Sequence, residues 1–223
     1  MGRQLRYERG VTLDKAMRVF WRNGYSGTSM RDLEAVLDMR PGSIYATFGS
    51  KEGLFLEALD KYAQLNGDQL ARAIATKGTF MGGLRQFLTG LLLRHESRHE
   101  SRDELRDELR GEPGDKLGDE SEPPGRACML AKTLADLEPR NAKLKGRAVE
   151  LMGVFEHTFC DLLTQARARG EISAAADIPA TARFIQIQVI GIRSFAEAEA
   201  DVEILLGHIE DVMAAIERKA NPC

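Results

Sequence analysis

Aromatic residues make up only 6% of this 223-residue chain, proline occurs seven times and tryptophan once. Stretches in which Val, Ile and Thr alternate with polar residues are rare, so little in the sequence asks for a β-sheet. No apolar run approaches the ~20 residues of a membrane span. The longest, residues 87–93, is interrupted by Thr89 and Gly90. The N-terminus has no apolar stretch of the kind that heads a secretory signal. Of the three cysteines, Cys128, Cys160 and Cys223, one is the last residue, and three do not make a disulfide framework. These absences set aside membrane-spanning and disulfide-stapled classes. With 43% hydrophobic residues for a core, they lead to the expectation of an all-α, cytoplasmic protein.

The apolar residues that are present recur at three-four spacing. Helices are predicted over 12–23, 29–37 and 41–47, then from a Ser50 cap to about 75. Further helices are predicted over 79–93, 128–137, 141–168, 179–199 and 201–218. Gly24 and Gly170 are placed to stop two of them. Net charge is −3 overall, but it is unevenly spread. Residues 1–51 hold nine Lys/Arg against five acids, or +4, which leaves −7 for the remainder. A basic head on an acidic body fits a protein that meets nucleic acid with one end.

Residues 28–54 carry the densest signal. Thr28 is placed to cap a short helix whose inward stripe is Met30, Leu33 and Leu37. A second short helix opens with Pro41, whose missing N–H costs nothing in a first turn. It bears Gly42, Ser43, Tyr45 and Thr47 before a third helix starts near Lys51. Two short helices around a tight turn, the second exposing small and hydroxyl-bearing residues, are suited to a helix-turn-helix entering a DNA major groove.

This stretch, with Ala16, Phe20, Gly24 and Tyr25 before it and Phe48, Glu52 and Leu54 near its end, resembles the N-terminal DNA-binding domain of TetR-type (tetracycline-repressor-like) regulators. The resemblance covers roughly the first quarter of the chain. Asp38 stands where that family usually has Gly in the turn, and Asp tolerates a left-handed backbone. Arg40 stands where the family often has a capping Ser. The resemblance implies a three-helix head, residues 1–50, and a helical effector-binding and dimerisation body, residues 51–223. It implies phosphate contacts from Thr28, Tyr45 and Lys51, with Ser29 and Pro41 in the same surface. Arg40, Gly42, Ser43 and Thr47 are the candidates for base edges.

The final two helices are apolar around much of their circumference. Phe184, Ile192 and Phe195 with Gln188 on one, and Leu205, Ile209, Val212 and Met213 on the other, point to a four-helix seam between two copies. The resemblance implies the same seam. Phe87, Leu91, Cys128, Met129, Met152, Phe155, Phe159 and Ile187 are candidates to line an effector cavity, or else ordinary core. Cys128 has two readings. It follows Arg126 at a helix start, a setting that favours a reactive thiol, and residues 125–130 look like a Gly-Cys-Leu-Leu element through which a few TetR-type branches sense electrophiles. Otherwise it is a small buried hydrophobe.

Residues 95–110 form a tandem four-residue repeat that stacks like charges at i,i+4, read as a solvated helix extension fraying into a Gly/Pro/acidic loop up to 125. His95 and His99 within it are spaced for a metal but have no third ligand arranged nearby, so no metal site and no cofactor are expected. No nucleophile–base pair or phosphate loop is recognisable, which argues against an enzyme. The expected function is a ligand-responsive regulator, most simply a repressor. It acts as a homodimer on a double-stranded, near-palindromic operator and is released by an unknown small-molecule effector. A redox switch at Cys128 is the alternative.

Overall fold

The computed structural model describes residues 2–92, 127–138, 141–199 and 201–222, with residues 2–8 described as backbone. The tetrad repeat, His95, His99, the loop to 125, Arg126 and Cys223 lie outside the described residues. Among the described residues every regular element is an α-helix, which bears out the all-α expectation. They are α1 (Gly2–Asn23), α2 (Met30–Leu37), α3 (Pro41–Phe48), α4 (Lys51–Lys77) and α5 (Phe80–Leu92). There follow α6 (Met129–Asp136), α7 (Ala142–Ala168), α8 (Ile178–Phe195) and α9 (Val202–Ala220).

Helix α1 starts ten residues before the predicted 12–23. Long-range contacts that periodicity does not report tie its extension down. Arg9 forks onto the Glu57 carboxylate at 2.7 and 2.8 Å and lies 5.0 Å from the Phe48 ring centre. Gly24 ends α1 at φ 73°, the left-handed conformation that glycine enters without a Cβ penalty.

The interior forms two apolar clusters. One holds Phe20, Leu33, Ile44 and Phe48 of the head and continues through Leu54, Phe55 and Tyr62 of α4 into Leu130 of α6 and Leu144 of α7. The expected head therefore shares its core with the body. The other cluster joins Phe80, Leu84 and Leu88 of α5 to Phe159 of α7, Ile185 of α8 and Leu205 and Ile209 of α9. Helices α4 and α5 pack closely at Gly83, where a Cβ would fall 2.4 Å from the Ile74 Cα, so a side chain there forces the pair apart.

Candidate nucleic-acid interface and body cavity

The helix-turn-helix is built by local rules. Ser29, rather than the expected Thr28, caps α2. Its hydroxyl accepts from the Asp32 N–H at 3.2 Å, and Asp32 reciprocates by accepting the Ser29 N–H at 2.7 Å. Thr28 is turned inward, 1% exposed, and its hydroxyl donates to the Gly24 carbonyl at 2.7 Å. Thr28 therefore braces the head and presents no surface to a phosphate. Asp38 takes the turn at φ 51°, ψ 44°, the left-handed conformation expected of it. Arg40 is the N-cap of α3 and makes no side-chain cap, which leaves its exposed guanidinium outside the helix start.

Ile44 and Phe48 pin α3 to the head, and the opposite side of this eight-residue helix is open. Pro41, Gly42, Ser43, Tyr45 and Thr47 are all exposed there, Tyr45 by 48%. The Thr47 hydroxyl donates to the Ser43 carbonyl at 2.8 Å. Lys51 is half-buried, its Nζ 4.3 Å from the Tyr25 ring centre. Burial lowers its pKa from the ordinary lysine value, and Asp32 partly opposes this. Burial, and then Glu52, raise the pKa of Tyr25.

The body holds a small, partly open cavity between α4, α5, α6, α7 and α8. Five of the expected residues line it: Phe87, Cys128, Met152, Phe155 and Phe159. Three do not. Met129 is buried in the core shared with the head, Leu91 packs against the body core, and Ile187 is 62% exposed on the outer face of α8. An α8 with two apolar sides cannot tell a sequence reader which side is inner. The sequence reading missed the cavity's polar end: Tyr62, Asn66, Gln186 and Arg193. Arg193 is 3% exposed, and a buried arginine in an otherwise oily helix is the signal that was available.

The expected seam divides in the same way. Ile192, Leu205, Ile209 and Met213 are buried within one subunit, where they pack α8 and α9 against the body. Phe195 is exposed, while Phe184, Gln188 and Val212 are half-buried. Ile187, Ile204 and Leu206 are further exposed apolar residues of the two helices, and Phe195 meets the His208 ring edge-on at 5.0 Å.

Head and body are joined by specific bonds as well as core. Lys132 of α6 donates to the last carbonyls of α1, Trp21 at 3.2 Å and Arg22 at 2.8 Å. Within the body, α7 is tied to α4, the helix that follows the head: Arg147 pairs with Asp60 at 2.7 Å and Lys143 with Glu52 at 2.9 Å. Among the described residues no helix is long and apolar enough to cross a membrane.

Comparison with known proteins agrees with this anatomy. Residues 13–58 match the family model described as bacterial regulatory proteins, tetR family, and residues 118–209 match the tetracyclin repressor-like C-terminal domain. The chain is 25% identical over 206 residues to the HTH-type transcriptional repressor ComR of Escherichia coli (strain K12), covering 92% of this chain and 87% of that one. It is 24% identical over 219 residues to the uncharacterized HTH-type transcriptional regulator YezE of Bacillus subtilis (strain 168), covering 97% and 100%. Among solved structures, a cysteine mutant of the TetR family transcriptional regulator CifR, complexed with 26-base-pair double-strand operator DNA, superposes with a TM-score of 0.73. Identity there is 26%, covering 93% of this chain and 96% of that one. Matched at both its N-terminal and C-terminal parts, and in fold along nearly its whole length, this chain belongs to the TetR family of bacterial regulatory proteins.

Proposed function

We propose that the protein is a DNA-binding transcriptional repressor that works as a homodimer and is released from its operator by a small molecule held in the body cavity. The observation that carries this reading is α3: a short helix anchored by Ile44 and Phe48, with Gly42, Ser43, Tyr45 and Thr47 open on its far side and Arg40 at its start. Small side chains let the helix backbone approach base edges, and hydroxyls and a guanidinium supply donors for phosphates and guanine. The repressor ComR and the operator-bound CifR support the direction of the reading. Two heads joined through α8 and α9 reach successive major grooves about 34 Å apart or slightly more. An effector that binds better to a state with a different head separation weakens operator binding by linkage.

The test is binding of the purified protein to the duplex upstream of its own coding region, followed by fluorescence anisotropy with salt titration. A saturable complex with two subunits per site supports the proposal. Equal affinity for unrelated DNA at all salt concentrations refutes it.

A thiol input is the second reading, and one observation favours it: Cys128 lines the cavity at the N-cap of α6, within reach of anything that enters. Cys160 is a poorer candidate, because burial, Glu156 and Asp161 raise its pKa and disfavour the thiolate. Cys128→Ser separates the two readings. If release by an electrophile survives the substitution, the thiol reading falls.

A further inference from the structure

Tyr62 of α4 is 1% exposed, lines the cavity, and its hydroxyl has no hydrogen-bond partner. The Cys128 thiol and the Met129 N–H lie beside it and complete no bond. An N–H has no lone pair to offer and a thiol sulfur is a weak acceptor, so what the phenol lacks is a taker for its own proton. Burial pushes the Tyr62 pKa far up, so that proton stays in place. A buried donor without an acceptor forfeits the hydration it had in water, and native folds rarely carry one without a reason. The neighbouring polar groups of the wall are in use. The Asn66 amide donates to the Tyr62 carbonyl at 2.8 Å, and the Gln186 amide donates to the Met152 carbonyl at 2.9 Å. Arg193 is the one charged group among the described lining residues, and it is engaged elsewhere: by Asn66 Oδ1 at 3.3 Å, by the Ala127 carbonyl at 3.4 Å and by a further interaction.

A buried hydroxyl with a proton to give is complemented by an oxygen that carries a lone pair. The rest of the wall, Phe87, Met152, Phe155, Phe159, Val189 and Ile190, is complemented by carbon. The described lining residues hold no open counter-charge, so an ionised carboxylate or phosphate would be desolvated there without compensation. An alcohol would bring a second O–H to bury, whereas a carbonyl oxygen brings none. The cavity is small and partly open, which suits a short chain or a single ring.

We propose that the cavity binds a small uncharged carbonyl compound, a short ketone or ester. Its oxygen accepts from the Tyr62 hydroxyl, and its carbon skeleton lies among Met152, Phe155 and Phe159. The proposal rests on the effector reading above and gives it a chemical class. Tyr62 also offers the ligand a route to the head, because its ring meets Trp21 of α1 edge to face with centres 5.1 Å apart.

The test uses the full chain with cyclohexanone and 2-hexanone against cyclohexane and cyclohexanecarboxylate. The readouts are thermal shift and the fluorescence of Trp21, the chain's one tryptophan. The ketones are expected to bind about tenfold or more tightly than the carboxylate. Tyr62→Phe removes only an unpartnered hydroxyl, so it folds with Tm unchanged or raised. It is expected to weaken the ketones about threefold to tenfold and to leave cyclohexane unchanged or tighter. Four results each overturn the proposal: carboxylate binding as well as the ketones, ketone affinity indifferent to Tyr62→Phe, an equal loss for cyclohexane, or no ketone binding at millimolar concentration. Operator release is scored separately. Ketones that bind at Tyr62 without weakening the operator complex uphold the carbonyl site and defeat the effector reading.

Discussion

The indole Nε1 of Trp21 donates a 2.7 Å hydrogen bond to the Ala127 carbonyl, the same oxygen that Arg193 reaches at 3.4 Å. One carbonyl thus joins the last turn of α1, the start of α6 and the cavity face of α8. Lys132 adds a second tie by donating to the ends of α1. A displacement of Arg193 or of residues 127–130 is expected to reach the head through these bonds. Trp21→Phe keeps a ring in the core and deletes the donor. It is expected to cost about 1 kcal/mol in urea unfolding. Operator affinity without effector should change little, while effector-driven release should weaken. Anisotropy titrations with and without effector check this, and unaltered release shows that the signal travels elsewhere.

The capping box of α2 ties head stability to pH. Hydrogen bonds from the Ser29 backbone and side chain lower the Asp32 pKa from its ordinary value. A carboxylate stabilised in the folded state contributes stability above its unfolded pKa and loses it as pH falls through the folded one. The loss therefore begins below about pH 4 and grows toward more acid values. Asp32→Asn is expected to flatten that part of the stability–pH curve. Ser29→Ala, which removes the cap itself, is expected to cost about 1 kcal/mol at neutral pH. Denaturant midpoints at stepped pH measure both.

Burial within one subunit separates core residues of α8 and α9 from those left for the proposed seam. Leu205 is fully buried, so Leu205→Ala is expected to lower stability by about 2–5 kcal/mol and leave the number of subunits unchanged. Ile187 is 62% exposed, so Ile187→Glu is expected to leave the fold intact and dissociate the dimer. Sedimentation velocity paired with thermal melting reads the two effects apart. Dimers that tolerate a charge at Ile187 place the seam on another face.

Most of the head was legible because its rules are local. Caps, the left-handed Asp38 and the Ile44/Phe48 stripe all act within a few residues, and period and turn chemistry report them. The one local error was the choice of Thr28 over Ser29 as cap. Two adjacent hydroxyl residues compete for that role, and the Asp32 side chain, three residues after Ser29, settles it. In the body the periodicity located helices but not their orientation. Ile187 and Ile192 have the same chemistry, yet one faces outward and the other into the core. Arg193 in an oily helix was a hint, but the polar end of the cavity as a whole was illegible for a related reason. Tyr62 and Arg193 are 131 positions apart in sequence, and only tertiary packing brings them together.

The remaining prediction concerns the surface of α3. Tyr45 is half exposed with no role in the core, so Tyr45→Ala should leave the unfolding free energy within about 0.5 kcal/mol of the parent. It should weaken binding to all duplexes alike. Arg40→Ala, in contrast, should change which base is preferred if its guanidinium reads an edge, at about 1–3 kcal/mol for the affected position. Lys51 adds a pH signature. Its burial against Tyr25 lowers its pKa, so it sheds its proton before a free lysine does near pH 10.4. Operator affinity is therefore expected to fall with rising pH earlier than lysine-mediated binding ordinarily would. Lys51→Gln removes that fall and flattens the salt dependence by about one ion. A pH profile and salt slope that Lys51→Gln leaves unchanged would take Lys51 out of the interface and leave α3 to hold the DNA with Tyr45 and Arg40.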